Sequence, residues 1–320
     1  MQNRDITLDI AKGLGIILVV VGHCINSKTI PGIFVYAFHM PLFFFISGVC
    51  FNAEKHRDFL PFLHKRVRQL LLPAVVFSLL LTALSSLLMS GAGYKWENLL
   101  WQGFPGAIWF LGVLFVTELL YWLIYNKVTR GNRRLLCLSA ALSLALALVT
   151  GAHGLCNPYQ VFATFGALFF YGVGHLLRPF VLKDSHRYSV KTLIPLTCIL
   201  FAVECASTVL TGHHIGFSSN DIAATDLVAS FTGLFALLSL SRCLGIVGGG
   251  KLQSLLIWLG NNTLVLMAVH MFFIGVSCYH LQPLLPASII YKVVEQLFVW
   301  TFCLLSVWLV NHYAKWAIGK

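Results

Sequence analysis

Charge is what this chain has least of. Only 10% of its 320 residues are charged, with 11 acidic residues against 22 lysines and arginines. A water-soluble domain of this length needs about a quarter of its residues charged to cover its surface. The nine cysteines form no CxxC pair or other metal-ligand spacing, and the chain carries no HExxH-like motif and no glycine-rich phosphate loop. Zinc-site, P-loop and dinucleotide-binding readings therefore have no support, and no metal is expected. Low-complexity tracts and short repeats are also missing. Cys156 and Cys278 fall near one side of the reading below, but a disulfide between them is not the favoured reading; the cysteines read mostly as small buried apolar residues.

Apolar residues make up 58% of the chain, with mean hydropathy +0.83. They gather in blocks of roughly 20, the length that crosses a bilayer as a helix. No water reaches the hydrocarbon core, so each block must satisfy its own backbone hydrogen bonds, which a helix does and an open strand does not. Short alternating strands suited to a β-barrel are not seen. The predicted spans are 6–25, 33–53, 70–91, 106–127, 134–152, 160–181, 192–211, 223–245, 259–279 and 291–313. The expectation is an all-α polytopic bundle of about ten transmembrane helices, one domain over 1–320. The longest linkers, 91–105 and 278–290, leave no room for a folded module. Asp9 and Lys12 within the first block, and no small-residue cleavage site after it, argue against a signal peptide.

The net charge of +11 suits nucleic acid by size alone, but its distribution follows the membrane. With the N-terminus inside, 18 basic residues fall in cytoplasmic segments: Arg4; Lys55, Arg57, Lys65, Arg66 and Arg68; Lys127, Arg130, Arg133 and Arg134; Arg178, Lys183, Arg187 and Lys191; Arg242 and Lys251; Lys315 and Lys320. The other side holds Lys28, Lys95 and Lys292. This bias predicts both termini in the cytoplasm and an even number of crossings.

Ionisable residues inside the spans are functional candidates, because a charge in hydrocarbon costs several kcal/mol. They are Asp9, Lys12, His23, His39, Glu118, Glu204, Asp226, His270 and Glu295. In the first helix, Lys12 is about 60° from Asp9 on the helical wheel, and His23 about 40°. One face thus carries a carboxylate–ammonium pair near the cytoplasmic end and an imidazole about 16 Å further out. Ile16, Val19 and Val20 complete the stripe, and Gly13, Gly15 and Gly22 allow close approach of a helix or ligand. One reading makes Asp9–Lys12 a neutralised interfacial pair and His23 a boundary histidine. The other makes His23 a general base, for which a near-neutral pKa suits it. In FHMPLFFFISG, Pro41 should kink the helix near the carbonyls of Val35 to Phe38, and His39 serves either the broken ladder or a site. His270 in LGNNTLVLMAVH, two turns after Asn262, has the same two readings. Any of Glu118, Glu204, Asp226 and Glu295 can orient His23 or His270. Arg66 and Arg68 in HKRVRQLLLP read as a positive-inside anchor or as a phosphate clamp.

Taken together and in order, these segments resemble the acyltransferase-3 family of integral membrane acyltransferases over almost the whole chain. RDITLDIAKGLGIILVVVGH is similar to that family's first helix, in which a basic residue precedes the active histidine by eleven positions, here Lys12 and His23. FHMPLFFFISG, KRVRQLLLP, AIWFLGVLF, FFYGVGHLLRP and LGNNTLVLMAVH resemble its later signatures. Many members carry Arg-x-x-Arg in the basic segment, where this chain has Arg66 followed by Gln69, with Arg68 adjacent. The SGNH-type esterase domain of some members is not seen. The resemblance implies O-acylation, usually O-acetylation, of a sugar hydroxyl in a surface or lipid-linked glycan by cytoplasmic acetyl-CoA, in a bacterial inner membrane. It implies His23 as base with Lys12 and Asp9 below it, Arg66 and Arg68 toward the CoA phosphates, and Lys12, His39 or Asn262 at the developing oxyanion. The competing class, a proton-coupled transporter or flippase, also uses intramembrane histidines and carboxylates, but no pair of broken helices at matching positions in two halves is seen.

Overall fold

The computed structural model describes residues 6–153, 158–182, 188–217, 219–285 and 289–320. Arg4, Cys156, Lys183 and Arg187 lie outside them, and with Cys156 the question of a Cys156–Cys278 pair.

The apolar blocks form α1 (Ile6–His23), α2 (Ile30–Cys50), α3 (Phe59–Leu88), α4 (Gly106–Thr129), α5 (Arg133–Ala152), α6 (Ala163–Val181), α7 (Val190–Thr211), α8 (Asp226–Val247), α9 (Lys251–Asn261), α10 (Thr263–His280) and α11 (Ile289–Tyr313). The described residues contain no strand, only one isolated bridge between Gly216 and Asp221. Nine of these helices are long and apolar enough to cross a membrane. The two that are not are α6 and α9.

α6 falls short on composition, because His175, Arg178 and Pro179 dilute it. It nevertheless runs from end to end of the bundle. Gly166 packs on Phe217 and Ile222 at one end, and Arg178 donates to the carbonyl of Phe51 at the other. The ninth expected span, 259–279, is broken. α9 stops at Asn261 and α10 restarts at Thr263. Asn262 closes the break by donating to the carbonyl of Trp258 (2.8 Å) and accepting from Asn311 (2.8 Å).

α2 is the most buried helix, and α5, α7 and α11 are the least, so these three form the outer wall. Two crossings bring backbone against backbone. Gly13 meets the carbonyl of Leu256 while Gly260 meets that of Asp9, which seats α9 across the first half of α1. Gly48 and Tyr171, with Gly174 and Phe45, do the same for α2 and α6. A Cβ at any of the four glycines would enter the opposing main chain, so the expected close approach at Gly13 is to a helix.

These contacts give the bundle two ends. Asn311 bonds Asn262, close to Asp9, and Gly319 packs on the main chain at Arg68. Ile6 and Tyr313 therefore lie at one end, with Arg66, Arg68 and Arg178. His23, Lys95 and the start of α11 lie at the other. Nine apolar helices plus α6 give ten traverses, consistent with that pairing.

Pro41 sits inside α2 without ending it. The missing N–H frees the carbonyl of Ala37, and Ser230 of α8 donates to it (2.6 Å). His39 Nδ1 bonds the neighbouring carbonyl of Val35 (2.9 Å). The freed carbonyl is thus satisfied by a side chain from another helix, and His39 adds a bond one half-turn earlier.

Candidate active site

His23 is the last residue of α1. Tyr36 and His39 stand one turn apart on α2, facing it. His270 approaches from the middle of α10, and His214 from the segment before α8. Tyr36 Oη is 2.6 Å from His23 Nδ1. The His23 ring lies 5.2 Å from that of His270 and 6.0 Å from that of His39, and Tyr36 is 5.1 Å from His214. His39 and His270 are fully buried, and each donates Nδ1–H to a carbonyl of its own helix, Val35 and Leu266 respectively, both at 2.9 Å. In the neutral ring that bond leaves Nε2 unprotonated. His270 Nε2 is buried with no hydrogen-bond partner.

His23 stands between two cavities. One, of about 330 Å³, is lined by His23, Tyr94, Lys95, Asn98, Gln102 and Trp109, with Gln160 across from them. The other, of about 120 Å³, is bounded by His23, Tyr36, His39, His214, Trp109 and Met267. A third cavity, of about 190 Å³, holds Lys12 with Ser47, Phe110 and Thr263. Met267 lines both the second and the third, so its side chain separates the space above Lys12 from the space below His23. No group of three His, Cys, Asp or Glu suited to a metal occurs among the described residues.

The expected site residues divide into two sets. His23, His39 and His270 come together. Asp9 and Lys12 pair at 2.7 Å, deep on the same helix. Lys12 lines the lower cavity, so the helical-wheel expectation holds, with the pair and the imidazole at opposite ends of one stripe. Arg66 forms an ion pair with the buried Glu118, donates to Gln69 (3.2 Å) and lies over the Phe62 ring. Arg68 is exposed. Asn262 is taken up by the helix break and lines none of the three cavities.

None of the four remaining carboxylates bonds a site histidine. Glu118 holds Arg66, Asp226 holds His213 (2.7 Å), and Glu295 holds Lys292 and Tyr291 (both 2.9 Å). Glu204 is buried without a hydrogen-bond partner. The group that orients His23 is a phenol, Tyr36. The sequence offers a signal for it, since Tyr36 precedes His39 by three residues and shares its helical face. His214 lies in irregular chain, and no periodicity marks it.

Outside the helices, burial lowers the His213 imidazole pKa, but bonds to Asp226 and Asp221 (3.1 Å) outweigh this and leave it raised. His56 is lowered to about 4, by burial first and then by the charges of Arg66 and Lys65.

Comparison with known proteins matches residues 5–310 to the family model described as "Acyltransferase domain". Two curated relatives are each called "Nodulation protein NolL". That from Mesorhizobium japonicum is 29% identical over 159 residues, which cover 46% of this chain and 42% of the relative. That from Sinorhizobium fredii is 27% identical over 295 residues, 84% of this chain and 77% of the relative. No solved structure matches.

Proposed function

The chain belongs to the acyltransferase-3 family, an integral membrane enzyme class that transfers acyl groups, and we propose that it O-acetylates a sugar hydroxyl with His23 as general base. The donor in this reading is cytoplasmic acetyl-CoA. The acceptor is a sugar of a surface or lipid-linked glycan, and the location is a bacterial inner membrane with both termini in the cytoplasm.

The observation that carries the proposal is the position of His23 between two cavities, with Nδ1 held by Tyr36. With Nδ1–H donated to the phenol oxygen, Nε2 bears the lone pair that a base needs. An acceptor hydroxyl in the 330 Å³ cavity gives its proton to Nε2 as its oxygen attacks the thioester carbonyl. The tetrahedral intermediate then breaks at the C–S bond. His23 returns the proton to the departing thiolate, leaving an ester and CoA thiol. His39 borders the 120 Å³ cavity, but with its Nδ1–H given to the Val35 carbonyl it offers a developing oxyanion a donor only as the imidazolium.

The donor side fits the charge distribution. The sequence assigns 18 basic residues to cytoplasmic segments, a charge that attracts a polyanionic nucleotide. Because Glu118 already neutralises Arg66, the exposed Arg68 has the freer guanidinium for phosphate. The cavity around Lys12 and the cavity below His23, separated by Met267, lie along the line a pantetheine arm would follow. On the acceptor side, the amides of Asn98, Gln102 and Gln160 and the Trp109 ring suit the hydroxyls and apolar face of a sugar.

The test is a mass comparison of surface glycans and lipid-linked sugars from cells with and without the gene. Loss of one acetyl group per acceptor unit supports the reading. Identical spectra, together with substrate flux through purified protein in liposomes, would overturn it in favour of a carrier.

A further inference from the structure

Lys292 is one of three basic residues at the sparsely charged end of the chain, and it lies next to a buried carboxylate. Its Nζ donates to Glu295 Oε2 (2.9 Å) and to the carbonyl of Cys24 (2.8 Å). Glu295 is almost wholly buried, and its second oxygen accepts from Tyr291 Oη (2.9 Å). Tyr291 in turn lies 3.4 Å from Cys278 of α10. The cluster draws residues from α10 and α11 onto a single carbonyl at the end of α1.

That carbonyl directly follows His23. The last carbonyls of a helix have no partner within it and carry partial negative charge, so an ammonium there supplies both a donor and a favourable charge. The chain then leaves the helix through tight turns, Cys24 N–H to Val21 and Ile25 N–H to Gly22, before Thr29 caps α2. Helix ends fray readily, and a general base on a last turn is only as well placed as that turn. α11 packs chiefly on α10, and the Lys292 side chain gives it a hydrogen bond to the end of α1.

We propose that Lys292, braced by Glu295 and Tyr291, is a positioning residue for His23: it fixes the last turn of α1 so that the imidazole keeps its distance from Tyr36 and its place between the two cavities. This rests on the reading of His23 as base. Lys292 touches no reacting atom and transfers no proton.

The full-length protein in nanodiscs tests it, with acetyl-CoA as donor and glycans of host membranes as acceptor. Turnover is expressed per folded molecule. Lys292→Met should lower turnover about tenfold, within the range a small misplacement produces, while KM for acetyl-CoA stays within about twofold. Lys292→Arg keeps a cation at the carbonyl and should recover most of the loss. Glu295→Gln, which frees the lysine, should behave like Lys292→Met. Amide hydrogen exchange across 20–29 should quicken in Lys292→Met and Glu295→Gln and not in Lys292→Arg. A merely stabilising contact would lower the yield of folded protein without this split or this rescue. Unchanged turnover in Lys292→Met, unchanged exchange across 20–29, or an arginine variant as impaired as the methionine one would overturn the proposal. His23→Ala run in parallel separates the two ideas. If it keeps full turnover, the general-base reading fails, while hydrogen exchange still reports whether the clamp holds α1.

Discussion

At the scale of single residues, the site rests on a histidine oriented by a phenol. Tyr36→Phe removes the 2.6 Å bond to His23 Nδ1 while keeping the ring. A hydrogen bond to a group that becomes charged is worth about 1.5–3 kcal/mol, so turnover should fall roughly tenfold or more. KM for acetyl-CoA should not move, and steady-state kinetics that show turnover within twofold of wild type would remove Tyr36 from its role. The two arginines should separate. Arg68→Ala should raise KM for acetyl-CoA several-fold without loss of folded protein. Arg66→Ala leaves Glu118 buried without its counter-charge, which costs about 3–5 kcal/mol when one member of a buried pair is lost. It should therefore lower the thermal midpoint first and activity only through that. If Arg66→Ala is as stable as wild type and loses acetyl-CoA use alone, the assignments are reversed. Which residues are ionisable and buried was legible in the sequence. Their partners were not, because pairing is decided by which helices touch. Glu118 and Arg66 are 52 positions apart, and nothing in either segment names the other.

At the scale of helices, hydropathy placed the spans to within a few residues, except where α3 begins about three turns before its expected start. The physical reason is that every helix in lipid must close its own hydrogen bonds. The interruptions were less legible. Pro41 announced a freed carbonyl, that of Ala37, but the donor that satisfies it, Ser230, is 193 positions away on α8. Ser230→Ala leaves the Ala37 carbonyl buried and unpaired, and should destabilise by about 1–3 kcal/mol in a thermal melt in detergent. A midpoint equal to wild type would show that another group takes its place. The break at Asn262 had no proline or glycine run to mark it. The segment preceding α8 carries a pH response outside the helices. His213 is raised in the folded state, so its contribution to stability is complete below its ordinary value of about 6.5 and is lost as pH rises through the raised value. Hydrogen exchange around His213, corrected for the intrinsic pH dependence of amide exchange, should quicken as pH rises above the ordinary histidine value, and His213→Gln should flatten that dependence. An unaltered pH profile in the variant would sink the assignment.

At the scale of the whole molecule, the asymmetry of charge and the asymmetry of the site coincide. The end that holds most of the arginines and lysines also holds both the Asp9–Lys12 pair and the end of α11, while the four clustered histidines, counting His214, lie toward the other. The sequence showed the first asymmetry through its loops. It showed the second only through single histidines, since each cavity is built from four or five stretches distant in sequence. Met267 stands where the two lower cavities adjoin. The central claim is that His23 removes the acceptor proton during acyl transfer. The direct measurement is transfer of labelled acetyl from acetyl-CoA to host membrane glycans by wild type and His23→Ala, at matched amounts of membrane-inserted protein. Loss of the base should reduce transfer by about 10²–10⁴-fold. Transfer by His23→Ala at the wild-type rate would contradict the account.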